Sequence, residues 1–299
     1  MAARLQQKRS MHLQIIDAHI HFSNIRVFKE TAQAISHVDY SGEGFRTECK
    51  KSGVVAGIAM GLAETAPGGF PDTAARTPME ADLEETLPPG LFLCPGINPF
   101  DLSRRGEAAL AALAGLLDSP RTVGIKLYAG YYPFYLEDAV YEPVYRLAGE
   151  RGLPIVVHGG VTYSSRGLLK YAHPLSFDEA IVRHPELTFV ICHMGEPWVM
   201  DTAALISKSP NVVADLSGLL VTDAAAISRK SADPVETLRW RQPLLFEERY
   251  DRFLYGSDWP LAPMEAYIPF IRQLIPQACQ ADVFFRNALR VFPRLASVI

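Results

Sequence analysis

Ile15-Ile16-Asp17-Ala18-His19-Ile20-His21 closes an apolar run that begins at Leu13 and carries two histidines two residues apart. Residues i and i+2 of a strand project from the same face, so this stretch, read as a strand, aims both imidazoles at one point. Burying two imidazoles side by side is costly unless each finds a partner. A shared metal ion is one such partner. A lone strand histidine is more often a core residue satisfied by one hydrogen bond, and His12, His37, His173 and His184 are read that way.

Outward from this run the pattern repeats. Short apolar runs recur at Val54–Met60, Leu91–Ile97, Val123–Leu127, Pro154–Val157, Leu187–Cys192, Val212–Leu216 and Arg252–Tyr255, which with Leu13–Ile20 makes eight. Several are apolar nearly throughout, as strands covered on both faces must be. Helical periodicity fills the intervals at Leu102–Leu117, Val140–Arg151, Phe177–His184, Trp198–Ser207 and Val235–Glu248, with Gly152, Pro185 and Pro210 as stops and Asp233-Pro234 as a start. Strand–helix alternation repeated eight times predicts an α/β fold, a (β/α)8 TIM barrel. A doubly wound open sheet is the competitor, but no GxGxxG follows the first run. Met264–Leu274 and Asp282–Val291 read as extra C-terminal helices on the barrel exterior, and Phe22–Lys51 as a mouth cover or a helical insert.

Residues 1–11 carry Arg4, Lys8 and Arg9 with no apolar segment behind them, so a flexible tail is expected, followed by a single domain over 12–299. The 29 basic and 33 acidic residues are interspersed and sum to −4, which disfavours a nucleic-acid partner. The apolar run Gly53–Ala63 is far shorter than the roughly 20 residues of a membrane span. The four cysteines form no CxxC, and Cys94 and Cys192 sit in apolar runs as buried thiols. A cytoplasmic protein that acts on a small molecule, with no membrane or nucleic-acid partner, is expected.

In a (β/α) barrel the C-terminal strand ends meet at one face, where active sites lie. His19 and His21 end the first run, His158 the fifth and His193 the sixth, and Asp258 follows the eighth. Their convergence gives a mixed nitrogen–oxygen shell for one divalent ion; zinc fits best, and manganese, iron and cobalt are accommodated. His193 has two readings, ligand or catalytic electrophile. Lys126 ends the fourth run, with three roles open: a carbamylated bridge between two metals, a site for an anionic substrate, or a partner for a nearby acid. Asp17, two before His19, is expected on the same face one step deeper, orienting a ligand histidine. Glu64 and Asp215 are further acids near the mouth, for which solvation or structural pairing stands beside catalysis. Tyr128, Tyr131, Tyr132, Tyr163 and Arg166 occupy the loops after the fourth and fifth runs, as substrate contacts or lid packing; Arg166 suits a substrate carboxylate.

On these residues the sequence resembles the amidohydrolase superfamily, in its amidohydrolase-2 branch of TIM-barrel metal-dependent hydrolases, which includes relatives of aminocarboxymuconate-semialdehyde decarboxylase. The resemblance is carried by Ile16-Asp17-Ala18-His19-Ile20-His21, Gly124-Ile125-Lys126-Leu127-Tyr128, Pro154-Ile155-Val156-Val157-His158-Gly159-Gly160, His193-Met194-Gly195-Glu196-Pro197-Trp198, Gly256-Ser257-Asp258-Trp259-Pro260 and a closing Arg286-Asn287-Ala288-Leu289-Arg290-Val291-Phe292. It implies a mononuclear site on His19, His21, His158 and Asp258 with His193 at or beside the metal, and possible homodimers by family habit. It also implies a hydrolase of ester, lactone or amide bonds, with Asp258 as base and His193 on the oxyanion. Lys126, Tyr128 and Arg166 are then substrate contacts. Nonoxidative decarboxylation of an aromatic or unsaturated acid is the alternative, and a noncatalytic metal-binding barrel the third reading. Gly124-Ile125-Lys126-Leu127-Tyr128 is not usual among the decarboxylases, which tilts the resemblance toward hydrolysis.

Overall fold

A computed structural model describes residues 13–297. The expected tail and His12 lie outside the described residues. The strands are β1 (Ile15–Ile20), β2 (Val54–Met60), β3 (Leu91–Cys94), β4 (Gly96–Ile97), β5 (Ile125–Leu127), β6 (Ile155–Val157), β7 (Phe189–Ile191), β8 (Val212–Asp215) and β9 (Phe253–Leu254). Every pairing is parallel and between sequence neighbours, in the orders β1-β2-β3 and β4-β5-β6-β7-β8-β9. The ladder breaks at Pro95, which has no N–H to give. Both halves still belong to one stave, because Val123 N donates to Leu93 O and Lys126 N to Pro95 O. The eighth stave meets the first through Ala18 N to Tyr255 O at 2.9 Å, His21 N to Trp259 O at 2.7 Å and a parallel bridge between Ile20 and Trp259. The fold is the TIM barrel that the alternation predicts.

The barrel interior is apolar below the site. Ile16, Ala18, Ile58, Met60, Phe92, Cys94, Val156, Val190, Val213 and Leu254 form one buried cluster, drawn from alternate positions of successive strands. Ala288, Val291, Phe292 and Leu295 belong to the same cluster. A Cβ on Gly124, just before β5, would lie 3.3 Å from the Phe292 ring. The last helix therefore plugs the N-terminal end of the barrel, opposite the site. This corrects in part the expectation that both terminal helices pack outside: Met264–Leu274 does, against the helices Gly42–Ser52 and Ala224–Ser231, and Val283 and Phe284 join the same outer cluster, but Ala288–Leu295 turns inward. The apolar face of Ala288–Leu295 matches an interior as well as a groove, so periodicity cannot separate the two.

Local chemistry explains most boundaries. The expected helix Leu102–Leu117 is two, Pro99–Arg105 and Glu107–Leu117, because Gly106 (φ 50°) breaks the hydrogen-bond ladder. Asn98 caps the first by accepting from Phe100 N, and Gly152 ends Glu142–Arg151 in the left-handed region. The segment after β1 both inserts and covers. Gly42–Ser52 packs outside, with the Phe45 ring 3.2 Å from where a Cβ on Gly57 would lie, while Arg26–Thr31 brings Phe28 over the mouth. Among the described residues no helix is long and apolar enough to cross a membrane.

Candidate metal centre

Three of the sequence-predicted residues converge tightly. His21 Nε2 lies 3.2 Å and His19 Nε2 3.4 Å from the same oxygen, Asp258 Oδ1, and the trio forms a compact candidate ligand group. His193 stands beside it, with Nδ1 4.0 Å from Asp258 Oδ2 and its ring centroid 4.8 Å from that of His19. The His158 ring lies 5.1 Å from that of His193 and 4.7 Å from that of Tyr131, adjacent to the trio but outside its tightest grouping. All five line one cavity of about 450 Å³ at the C-terminal strand ends.

Both imidazoles of the pair reach this face through an irregularity in β1. Asp17 pairs with Gly57 but Ile20 with Ala59, so β1 carries one residue more than β2 over this step. Such a bulge reverses the inside–outside alternation. Ile16 and Ala18 therefore point into the barrel below the bulge, and His19 and His21 point inward above it. Asp17 is put on the other face, which corrects the expectation that it orients a ligand histidine. Its Oδ1 instead accepts from Ser257 N at 2.9 Å and His19 N at 3.3 Å, pinning β1 to the loop that carries Asp258.

Burial drives the Asp17 carboxyl up to about 7, against the lowering effect of the Ser257 and His19 hydrogen bonds. The folded state thus holds an extra proton between the usual carboxylate range and pH 7, and the stability Asp17 contributes falls as pH rises through that window. Asp17→Asn keeps the Oδ1 acceptor and removes the charge. It is expected to be more stable than the parent at pH 8 by about 2–4 kcal/mol, with the difference shrinking toward pH 4. Urea unfolding of metal-free protein at both pH values checks this, and an equal gain at both would refute it.

The acid that orients His19 is Asp215, at the end of β8. Its Oδ2 lies 2.9 Å from His19 Nδ1, and its Oδ1 accepts from His193 N at 2.9 Å, Ser217 N at 3.1 Å and the Ser217 hydroxyl. Burial works against the charge, but His19 and His193 and these hydrogen bonds hold Asp215 far below the usual carboxylate range. Burial and the Lys126 charge lower His19 to about 4 despite Asp215 and Asp258. At neutral pH the pair is a carboxylate and a neutral imidazole, so Nδ1 keeps the proton and Nε2 presents a lone pair.

That lone pair decides whether a cation fits. His19 Nε2 faces Asp258 Oδ1, an acceptor against an acceptor, and both atoms are buried with no hydrogen-bond partner among the described residues, as is His158 Nε2. Burial, His193 and Lys126 keep His158 neutral, well below the ordinary histidine range. Burial also opposes the charge of Asp258, but the nearby His193, His21 and His19 rings outweigh it and hold the carboxyl ionised. Converging lone pairs around one anion form a donor set for a divalent ion. The residues present therefore fit a metal.

Sequence reasoning did not single out Ser217, Gly218 or Phe28. Ser217 Oγ and O lie 2.9 and 3.2 Å from His193 Nδ1 and hold the ring. A Cβ on Gly218 (φ 64°) would come within 2.6 Å of His193 Nδ1 and 2.9 Å of Asp258 Oδ2, so glycine keeps the space between them open. Phe28 stacks on His21 at 4.4 Å. Asp215-Leu216-Ser217-Gly218 ends a strand at the same face as the histidines, which was the available signal. Tyr128 lines the cavity with its hydroxyl donating to Gly61 O at 2.8 Å. Arg166 lies at the rim and donates to the carbonyls of Gly68, Gly69 and Phe70, fastening the loop after β2. Glu64 fastens the same loop by accepting from Gly68 N and Phe70 N. Lys126 is buried with Nζ 2.8 Å from Cys192 Sγ and has no carboxylate at ion-pair distance among the described residues, which removes the acid-pairing role.

Residues 16–294 match the amidohydrolase family model, in its amidohydrolase-2 form. No curated protein matches significantly. Solved structures with the same fold include an uncharacterised TIM-barrel protein from Bordetella bronchiseptica, at 18% identity and TM-score 0.64 over 95% of this chain and 100% of that one. A 2,6-dihydroxybenzoate decarboxylase from Rhizobium aligns at 16% identity and TM-score 0.65, covering 94% and 98%. A provisionally assigned 2-pyrone-4,6-dicarboxylic acid hydrolase from Pseudomonas putida aligns at 19% and 0.59, covering 95% and 99%. With its barrel, its strand-end histidines and a family match over nearly its whole length, this chain belongs to the amidohydrolase-2 family of enzymes.

Proposed function

We propose that the chain is a metal-dependent hydrolase that opens an ester, lactone or amide bond in a small carboxylated molecule. The observation that carries the reading is the two-sided placement of Asp258, with Oδ1 toward His19 and His21 and Oδ2 toward His193 and the space beside Gly218. His19, His21, His158 and Asp258 would hold one divalent ion, with zinc as first choice. Bound there, the ion supplies Lewis acidity, which makes a nearby water more acidic and polarises a carbonyl. Asp258, ionised at neutral pH, takes a proton at Oδ2 and returns it to the leaving group. His193 Nδ1 faces Ser217 O, which can only accept, so the Nδ1 proton is committed. His193 therefore donates from Nε2 to a developing oxyanion only as the imidazolium.

Decarboxylation is the second reading. The aromatic lining of Phe70, Tyr128 and Tyr131, rings set mostly edge to face, favours it, since it suits an aromatic acid, as does the shared fold with a 2,6-dihydroxybenzoate decarboxylase. Metal analysis of purified protein, followed by a panel of lactones and hydroxybenzoates, separates the two. Base uptake on lactone opening without CO2 release is expected. CO2 release from hydroxybenzoates with inert lactones would replace the first reading by the second. Absence of stoichiometric metal, with no activity restored by zinc or manganese, would sink both.

A further inference from the structure

Lys126 is the one cationic side chain on the cavity wall, among the described residues, that neither pairs with a carboxylate nor spends its donors on backbone carbonyls. Arg26 is paired with Glu30 at 2.7 Å, and Arg166 is taken by the loop carbonyls. Among the described residues the Lys126 Nζ hydrogen-bonds only to the Cys192 thiol, at 2.8 Å, and lies 5.4 Å from the centroid of the Tyr128 ring. Lys126 is itself 1% exposed. A buried ammonium without a counter-charge is costly, and the cost is recovered when an anion enters beside it.

We propose that Lys126 is the carboxylate subsite of this cavity, its ammonium binding a carboxylate that the substrate carries and keeps, with the Tyr128 ring against the adjoining flat part of the molecule. This rests on the hydrolytic reading in one respect, that the bound carboxylate is not the group that reacts. Loss of CO2 moves charge off a carboxylate onto carbon, so an ammonium holding that carboxylate stabilises the ground state more than the transition state. Recognition of a spectator carboxylate has no such penalty. The substrate class is then a flat molecule with one carboxylate near the scissile carbonyl.

The test is calorimetric titration of metal-loaded full chain with benzoate and with benzamide, its uncharged counterpart, in the parent and in Lys126→Met and Lys126→Gln. Benzoate is expected to bind roughly tenfold to a hundredfold more weakly in both variants, the range for a lost charge-assisted hydrogen bond, with benzamide unchanged. Lys126→Met is expected to melt no lower than the parent, since it removes a buried unpaired charge; should it fail to fold, Lys126→Gln decides alone. Unchanged benzoate binding, an equal loss for both probes, or no benzoate binding by the parent overturns the proposal. Lysine-dependent benzoate binding by a protein that opens no carboxylated lactone leaves the subsite standing and sinks only the hydrolytic reading. Lactone opening that is indifferent to both substitutions does the reverse.

Discussion

Asp258→Asn is expected to lower kcat/KM by about three to four orders of magnitude while the protein stays folded, the upper part of the range for removing a general base. The choice of asparagine follows from the backbone. Asp258 sits at φ 62°, a left-handed conformation that asparagine adopts as readily as aspartate and that alanine resists. Asparagine also retains an oxygen toward His19 and His21, so packing around the trio is kept. What it loses is the proton-accepting Oδ2 beside His193 and the negative charge that a divalent ion would balance. Activity and metal content should therefore both fall, and activity should fall further than occupancy when saturating zinc is supplied. The acid limb of stability should also flatten. A carboxyl held below its usual range contributes stability that is present above that range and lost as pH falls through the folded value, and asparagine removes this dependence. Parallel lactone assays, metal analysis and unfolding below pH 4 check the three effects. Wild-type turnover in the variant would remove Asp258 from the chemistry.

The candidate site residues were legible in the sequence and the groups that aim them were not, for a physical reason. His19, His21, His158, His193 and Asp258 advertise themselves because a polar side chain that ends an apolar run is out of place unless it faces a site. Asp17 and Asp215 end or interrupt equally apolar runs, and the period-two rule assigned the orienting role to the wrong one. The rule fails at Asp17 because one added residue in β1 reverses the alternation, and a bulge leaves no mark in composition. The eight-stave barrel was readable because alternation recurs eight times, whereas the inward turn of Ala288–Leu295 was not, since an interior plug and an exterior helix both need one apolar stripe. Gly218 was invisible for a different reason. Its contribution is the absence of a Cβ between two side chains that only the folded chain brings to 4.0 Å.

Two substitutions at Asp215 are expected to part metal affinity from stability. Alanine leaves His19 Nδ1, His193 N, Ser217 N and the Ser217 hydroxyl buried without their acceptor. Removing one partner of a buried, charged network costs about 3–5 kcal/mol, so Asp215→Ala should be destabilised on that scale with or without metal. Asparagine keeps Oδ1 as acceptor for the three donors from His193 and Ser217 and turns its amide toward His19. Two N–H groups cannot face each other, so His19 must move its proton to Nε2 and accept at Nδ1. The Nε2–H then points at Asp258 Oδ1, 3.4 Å away, and satisfies the oxygen that a cation would otherwise take. Asp215→Asn should therefore fold nearly as stably as the parent when metal-free, yet bind zinc or manganese about 10–100-fold more weakly, the usual cost of losing the partner behind a ligand histidine. Urea unfolding of metal-free protein and competitive metal titration read the two quantities separately. If the asparagine variant bound zinc as tightly as the parent, His19 Nε2 would not be a ligand, and the centre would have to be rebuilt around His21, His158 and Asp258.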